Sequence, residues 1–187
     1  MRQAPLFLLA ILIACQAFSR PNSTSDRENI TQAGFNDSAS VSIPAMGELL
    51  IDIVNVTGIE PDFILKEANV LNLQASISHH KKIISYNPVF INSINSLAKD
   101  KWSACALLAH EIGHHLKGHT AGKKGSRPVF ELEADEFAGY VLYKLGASLE
   151  QAQEVMFYIA KTEASKYYPN REARMLAIEK GWNSAKS

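Results

Sequence analysis

Disulfides, a basic surface and long membrane-spanning runs are what this chain most plainly goes without. It has 187 residues and only two cysteines, Cys15 and Cys105. Cys15 lies in an N-terminal leader, so Cys105 is the one thiol left to the rest of the chain and no intrachain disulfide is expected there. The place of Cys105 on an apolar helix face assigns it to packing. Lys plus Arg and Asp plus Glu both number 19, for a formal net charge of zero. That balance leaves no electrostatic footprint for nucleic acid and no acidic tail. Lys81-Lys82 and Lys123-Lys124 read as solvated loop charges. The apolar run Leu6 to Ala14 falls well short of the ~20 residues a helix needs to cross a bilayer. No later stretch is long and apolar enough to do so.

A charge at Arg2 followed by that run has the grammar of a secretory signal over residues 1–19. The leader ends in one of two ways. Leu12-Ile13-Ala14-Cys15 resembles a bacterial lipobox, which would lipidate Cys15; cleavage after Ala17 or Ser19 is the other route. The expected location is accordingly exported, as a periplasmic or outer-membrane lipoprotein or as a secreted protein. Membrane contact is expected only through the N-terminal lipid. Residues 20–43, rich in Ser, Asn, Thr and Asp, have the composition of a disordered tether.

What remains, residues 44–187, reads as one α+β domain with a small β-sheet or hairpin beside a bundle of helices. Leu49, Leu50, Ile53 and Val54 recur at helical spacing before a stop at Gly58. A β-like stretch opens at Pro61, and Leu71–Ser78 and Lys82–Tyr86 form a hairpin across a solvated His79-His80-Lys81 turn. Helices are expected at 88–98, 101–117, 128–145, 149–162 and 170–181. Gly146 ends one, Ser148 with Gln151 forms a capping box for the next, and Asn170 caps the last.

The chemistry lies in His110-Glu111-Ile112-Gly113-His114. Histidines four apart project only ~40° from each other on a helix, about one turn apart, so both rings can reach one ion. Two imidazoles at that spacing suit Zn²⁺, and Glu111 beside them can take a proton from a zinc-activated water. Trp102, Cys105, Leu108, Ala109, Ile112 and Leu116 mark an apolar stripe on the opposite side. Gly113 is costly inside a helix, by about 1 kcal/mol, and suits a close approach of another backbone or a ligand.

A catalytic zinc needs a third protein ligand. The metzincin pattern would put Gly and His where this chain has Lys117 and Thr120, so that class is excluded. An acidic residue from a later helix is the other source. Within Phe130-Glu131-Leu132-Glu133-Ala134-Asp135-Glu136, the residues Glu131 and Asp135 share one edge of a stripe formed by Phe130, Ala134, Phe137, Ala138, Val141 and Leu145. Glu131 is therefore assigned as ligand and Asp135 as acceptor for a ligand imidazole N–H. Geometry favours Glu131 over Glu133 only modestly; Glu133 and Glu136 otherwise read as solvated charges at a helix start. His115 and His119, also four apart, read as polar residues at the helix end, a second metal pair being the lesser alternative.

The run Leu108 to Thr120 resembles the zinc helix of the gluzincin family that contains HtpX and the CAAX prenyl proteases, and Glu131-Leu132-Glu133-Ala134-Asp135 is similar to its Glu-x-x-Ala-Asp motif. The resemblance implies a zincin-like minimal metallopeptidase domain, one catalytic Zn²⁺ on His110, His114 and Glu131, and proteolysis of peptide or unfolded protein. Asn72-Leu73-Gln74-Ala75 is similar to the strand that borders the substrate cleft, and Pro169 with Arg174 to a later His-Pro segment and its downstream Arg. Two departures stand out: Tyr168 occupies the place of the His before that Pro, and the transmembrane helices typical of the prenyl proteases and HtpX are missing. The compact, exported, single-domain members are the nearer likeness.

The expected activity is that of an exported zinc metalloendopeptidase. Glu111 serves as general base, and Arg174, Tyr168 or Tyr167 as transition-state donor. A catalytically silent zinc-containing binding or adaptor protein is the first alternative, and a hydrolase of non-peptide amides the second.

Overall fold

The computed structural model describes residues 45–121, 125 and 127–186. The leader, Cys15 and the tether lie outside them. The described chain is mainly helical with one small sheet. Its elements run α1 (Met46–Thr57), β1 (Phe63–Glu67), β2 (Leu73–Ser78), β3 (Lys81–Tyr86), α2 (Pro88–Ala98), α3 (Trp102–Leu116), a 3₁₀ turn (His119–Ala121), α4 (Arg127–Lys144), α5 (Leu149–Gln153), α6 (Val155–Ile159) and α7 (Arg171–Ser184). No helix among the described residues is long and apolar enough to cross a membrane.

The sheet order is β1-β3-β2, with β1 parallel and β2 antiparallel to β3. His79 and His80 join β2 to β3 in a two-residue turn with φ of 49° and 62°, the geometry that suits the right-handed twist of a hairpin. Among the described residues no strand pairs the outer edge of β2, and α3 packs beside it.

Local signals account for the helix ends. Asn87 accepts from the amides of Val89 and Phe90 with Pro88 in the first turn, Gly58 closes α1 at φ 67°, and Ser148 with Gln151 makes the reciprocal cap of α5. The helix expected at 149–162 is instead two short ones meeting at Glu154, and it stops at Ile159. The Ala160 carbonyl, which a continuing helix would use, accepts from Nε and Nη2 of Arg171 instead.

α3 runs through the core. Ala104, Cys105, Leu108, Ala109 and Ile112 are fully buried, each large aliphatic among them contributing about 1.5–3 kcal/mol. Burial is wider than the expected stripe, since Ser103, Ala106 and Leu107 are covered too, while Leu116 is exposed. Gly113 is where α4 comes closest. A Cβ there would lie 3.1 Å from the Ala134 Cα, so the bare glycine lets α4 approach near enough to bring its acidic residues under the histidines. α7 is drawn onto α4 in the same way: a Cβ on Gly139 would clash with the Ile178 carbonyl, and one on Gly181 with that of Glu136.

Candidate metal centre

Three helices and a strand edge supply the site. α3 presents His110, Glu111 and His114; α4 presents Glu131 and Asp135; α7 presents Arg174; β2 presents the amide of Ala75. The donor atoms of His110, His114 and Glu131 all lie within 4.8 Å of one another. The two Nε2 atoms are 3.0 Å apart, and Glu131 oxygens stand 3.4 Å from the first and 3.7 Å from the second. Two ligands held at ~2.0–2.1 Å in tetrahedral array are separated by ~3.3–3.4 Å. The separations straddle that value, so the set could hold a first-row divalent ion, and two imidazoles plus a carboxylate are donors such an ion accepts.

Asp135, fully buried, sits behind His110. Its Oδ1 is 2.8 Å from His110 Nδ1, and both of its oxygens accept from Arg174 at 2.7 Å, through Nη2 and Nε. A carboxylate only accepts, so Nδ1 of His110 carries the proton and Nε2 is turned to the cluster.

The electrostatics follow from burial and partners together. Burial pushes the Asp135 carboxyl up, but Arg174 and His110 more than reverse it, down to about 2. Burial pushes His110 down, and Asp135 with Glu131 overturns that, up to about 10. His114 goes the other way, to about 3, through burial and then the charge of His110. Glu131 is lowered, the burial cost being outweighed by His110, Arg174 and His114. Within the protein alone a single proton thus satisfies the facing Nε2 atoms, and a divalent cation would serve all three donors at once. Glu111 is raised, chiefly by burial, while its Oε2 accepts from the Ala75 amide at 2.6 Å.

Arg174, expected as a transition-state donor, is buried with two of its nitrogens on Asp135 and Nη2 3.9 Å from Glu131. Tyr168 is half-buried and bonded to Arg127, its hydroxyl raised by burial and then by Glu131. Tyr167 is exposed. Glu136 pairs with Lys180 at 2.8 Å at the surface.

Two expectations are corrected, for His119 and Glu133, while the lesser alternative of a second metal pair finds no support. His115 and His119 do not pair: α3 ends at Leu116, and His115 turns to the Ile83 carbonyl and Thr120 Oγ1. His119 is not a solvated helix end; its Nδ1 lies 2.9 Å from His114 Nδ1 and its Nε2 2.8 Å from Glu133. Glu133 is accordingly a partner of His119 and not a free surface charge. The contact of Glu111 with Ala75 was not foreseen either, although the placement of residues 72–75 on the cleft-side strand was the available signal. The concavity lined by Gln153, Arg171, Met175 and Leu176 contains none of the site residues.

No family model, no curated protein and no solved structure matches this chain.

Proposed function

We propose that this chain is an exported zinc-dependent endopeptidase with a zincin-like domain, akin to the gluzincins that its two motifs resemble, acting on peptide or unfolded protein. The observation that carries this reading is the convergence of His110 Nε2, His114 Nε2 and Glu131 beside a part-buried glutamate tied to the edge of β2. His110, His114 and Glu131 would hold the ion. When bound, Zn²⁺ acidifies water and polarises a carbonyl oxygen.

The rest of the work falls to the chain's own groups. Glu111 has one oxygen pinned by the Ala75 amide and the other left to receive a proton from the attacking water. Burial raises its carboxyl, which brings it nearer the working range of a general base and lets it return the proton to the leaving amine. The edge of β2 that no described strand pairs suits an extended peptide. The Asn72 carbonyl bonds towards the end of β3, so by alternation Leu73, Ala75 and Ile77 turn their backbone groups to the open side. A peptide docked there would compete with Glu111 for the Ala75 amide and so release the base as substrate arrives. Tyr168, near Glu131, is the better candidate for transition-state donor, since Nε and Nη2 of Arg174 are engaged with Asp135.

The test is to incubate the zinc-loaded full-length chain with an unfolded protein and identify products by mass spectrometry, beside a Glu111→Gln variant. Wild-type cleavage at peptide bonds, slowed at least about a hundredfold in the variant, is expected. If neither cuts while both hold one zinc, the binding or adaptor reading replaces this one. Release from non-peptide amides alone would favour the other hydrolase.

A further inference from the structure

We propose that His119 and Glu133 are positioning residues that fix the tautomer and ring orientation of His114, and through it the affinity of the site for its metal. The inference rests on the metal-centre reading above and goes beyond the ligand set. Its basis is an unbroken series of contacts. Gly118, at φ 75°, lets the chain leave α3, and the 3₁₀ turn that follows folds His119 back beneath the helix. The His119 side chain is only 3% exposed. Its ring stacks on Phe130 at 4.3 Å and 15°, and meets the His114 ring edge-on at 5.1 Å. Nδ1 of His119 then lies 2.9 Å from Nδ1 of His114, while Nε2 lies 2.8 Å from Glu133 Oε2.

Proton bookkeeping gives this series a direction. Two imidazole nitrogens at 2.9 Å share one hydrogen, so one donates and the other accepts. The Glu133 carboxylate only accepts, which places a proton on Nε2 of His119 and, in the single-proton form of that ring, leaves its Nδ1 bare. His114 must then donate from Nδ1, and its own Nε2 is left bare, facing His110 Nε2 and Glu131. His110 has its Nδ1 proton fixed by a shorter route, directly through Asp135, and its Nε2 would be bare once the shared proton gave way to a metal ion. The two ligand histidines are thus each oriented by a carboxylate, one directly and one through an intervening imidazole. A purely structural role for His119, filling space under Phe130, would need neither the Nδ1 contact nor Glu133.

Zinc affinity of the full-length chain is measured by competition with a chromophoric chelator, and the Co²⁺-substituted protein is compared by its visible absorption. Two variants break the series: His119→Phe keeps the stack, and Glu133→Ala removes the terminal acceptor at a residue whose side chain is 35% exposed. Each is expected to weaken zinc binding by about ten- to a hundredfold and to alter the Co²⁺ bands, with the unfolding midpoint of the apo chain unchanged. Glu133→Gln, which keeps an acceptor oxygen, is expected to recover most of the affinity. Zinc binding within about twofold of wild type in both breaking variants, against loss in His114→Ala, would overturn the proposal and spare the metal centre; the threshold lies well under the loss such an outer partner ordinarily causes. Should His119→Phe not fold, Glu133→Ala and Glu133→Gln decide the matter alone. If wild type and His114→Ala both fail to bind zinc, the metal centre itself is refuted and the proposal goes with it.

Discussion

One helix, α3, shows two ways of burying a titratable group. In its first half Cys105 lies among Ala104, Ala106, Leu108 and Ala109 with no exposed surface. Burial is the dominant influence there and pushes the thiol up to about 12. In its second half His110 is 7% exposed, yet Asp135 and Glu131 hold it protonated, up to about 10. Burial by itself neutralises a group; burial with a supplied counter-charge preserves the charge and strengthens it. Chemistry in this domain therefore depends less on the depth of α3 than on what α4 and α7 deliver to its C-terminal half.

Three perturbations would break or sharpen that contrast. The largest effect belongs to Arg174→Ala, which strands the buried Asp135 charge and is expected to cost about 3–5 kcal/mol in urea unfolding. The double variant Asp135→Ala, Arg174→Ala should cost less than the sum of the two single ones, because neither charge is then left unpaired. Strict additivity would mean that the pair is not the support of His110. Next comes Gly113→Ala. Helix propensity would favour it by about 1 kcal/mol, but a Cβ 3.1 Å from the Ala134 backbone forces α3 and α4 apart, at a cost of about 1–3 kcal/mol. A net loss of stability together with weaker zinc binding is expected; unchanged zinc binding would show that α4 can shift without disturbing the donors.

The smallest effect is on the apolar half. The Cys105 thiol ordinarily titrates near 9.0 and is raised in the fold. Its contribution to stability is therefore complete below about pH 9 and is lost as pH rises towards about 12. At pH 10 the loss should be about 1.4 kcal/mol relative to neutral pH, visible as a lower urea midpoint and missing in Cys105→Ala. The same burial should leave the native thiol inert to alkylating reagents until the chain unfolds.

Much of this was legible in the sequence, for identifiable reasons. The helix at 88–98 matches Pro88–Ala98 because Asn87 and Pro88 are strong start signals, and the α3 and α4 limits fall within a residue of expectation. Spacing alone put His110, Glu111 and His114 on one face, and the edge shared by Glu131 and Asp135 led to the two acidic residues that meet them. What escaped was set by tertiary contact. Arg171 drew the Ala160 carbonyl out of helical bonding. The parallel pairing of β1 with β3 leaves no mark in the strand sequences themselves. A helical wheel takes each helix singly, so it could not foresee that the turn after Gly118 would carry His119 back against Glu133.

The account stands or falls on the metal. The most direct measurement is X-ray absorption at the zinc edge on the reconstituted full-length chain, with metal content determined on the same sample. One zinc per chain is predicted, held by two imidazoles and by oxygen donors at ~2.0–2.2 Å, with one imidazole lost in either His110→Ala or His114→Ala. Zinc below stoichiometry, or a spectrum that both substitutions leave unchanged, would contradict it.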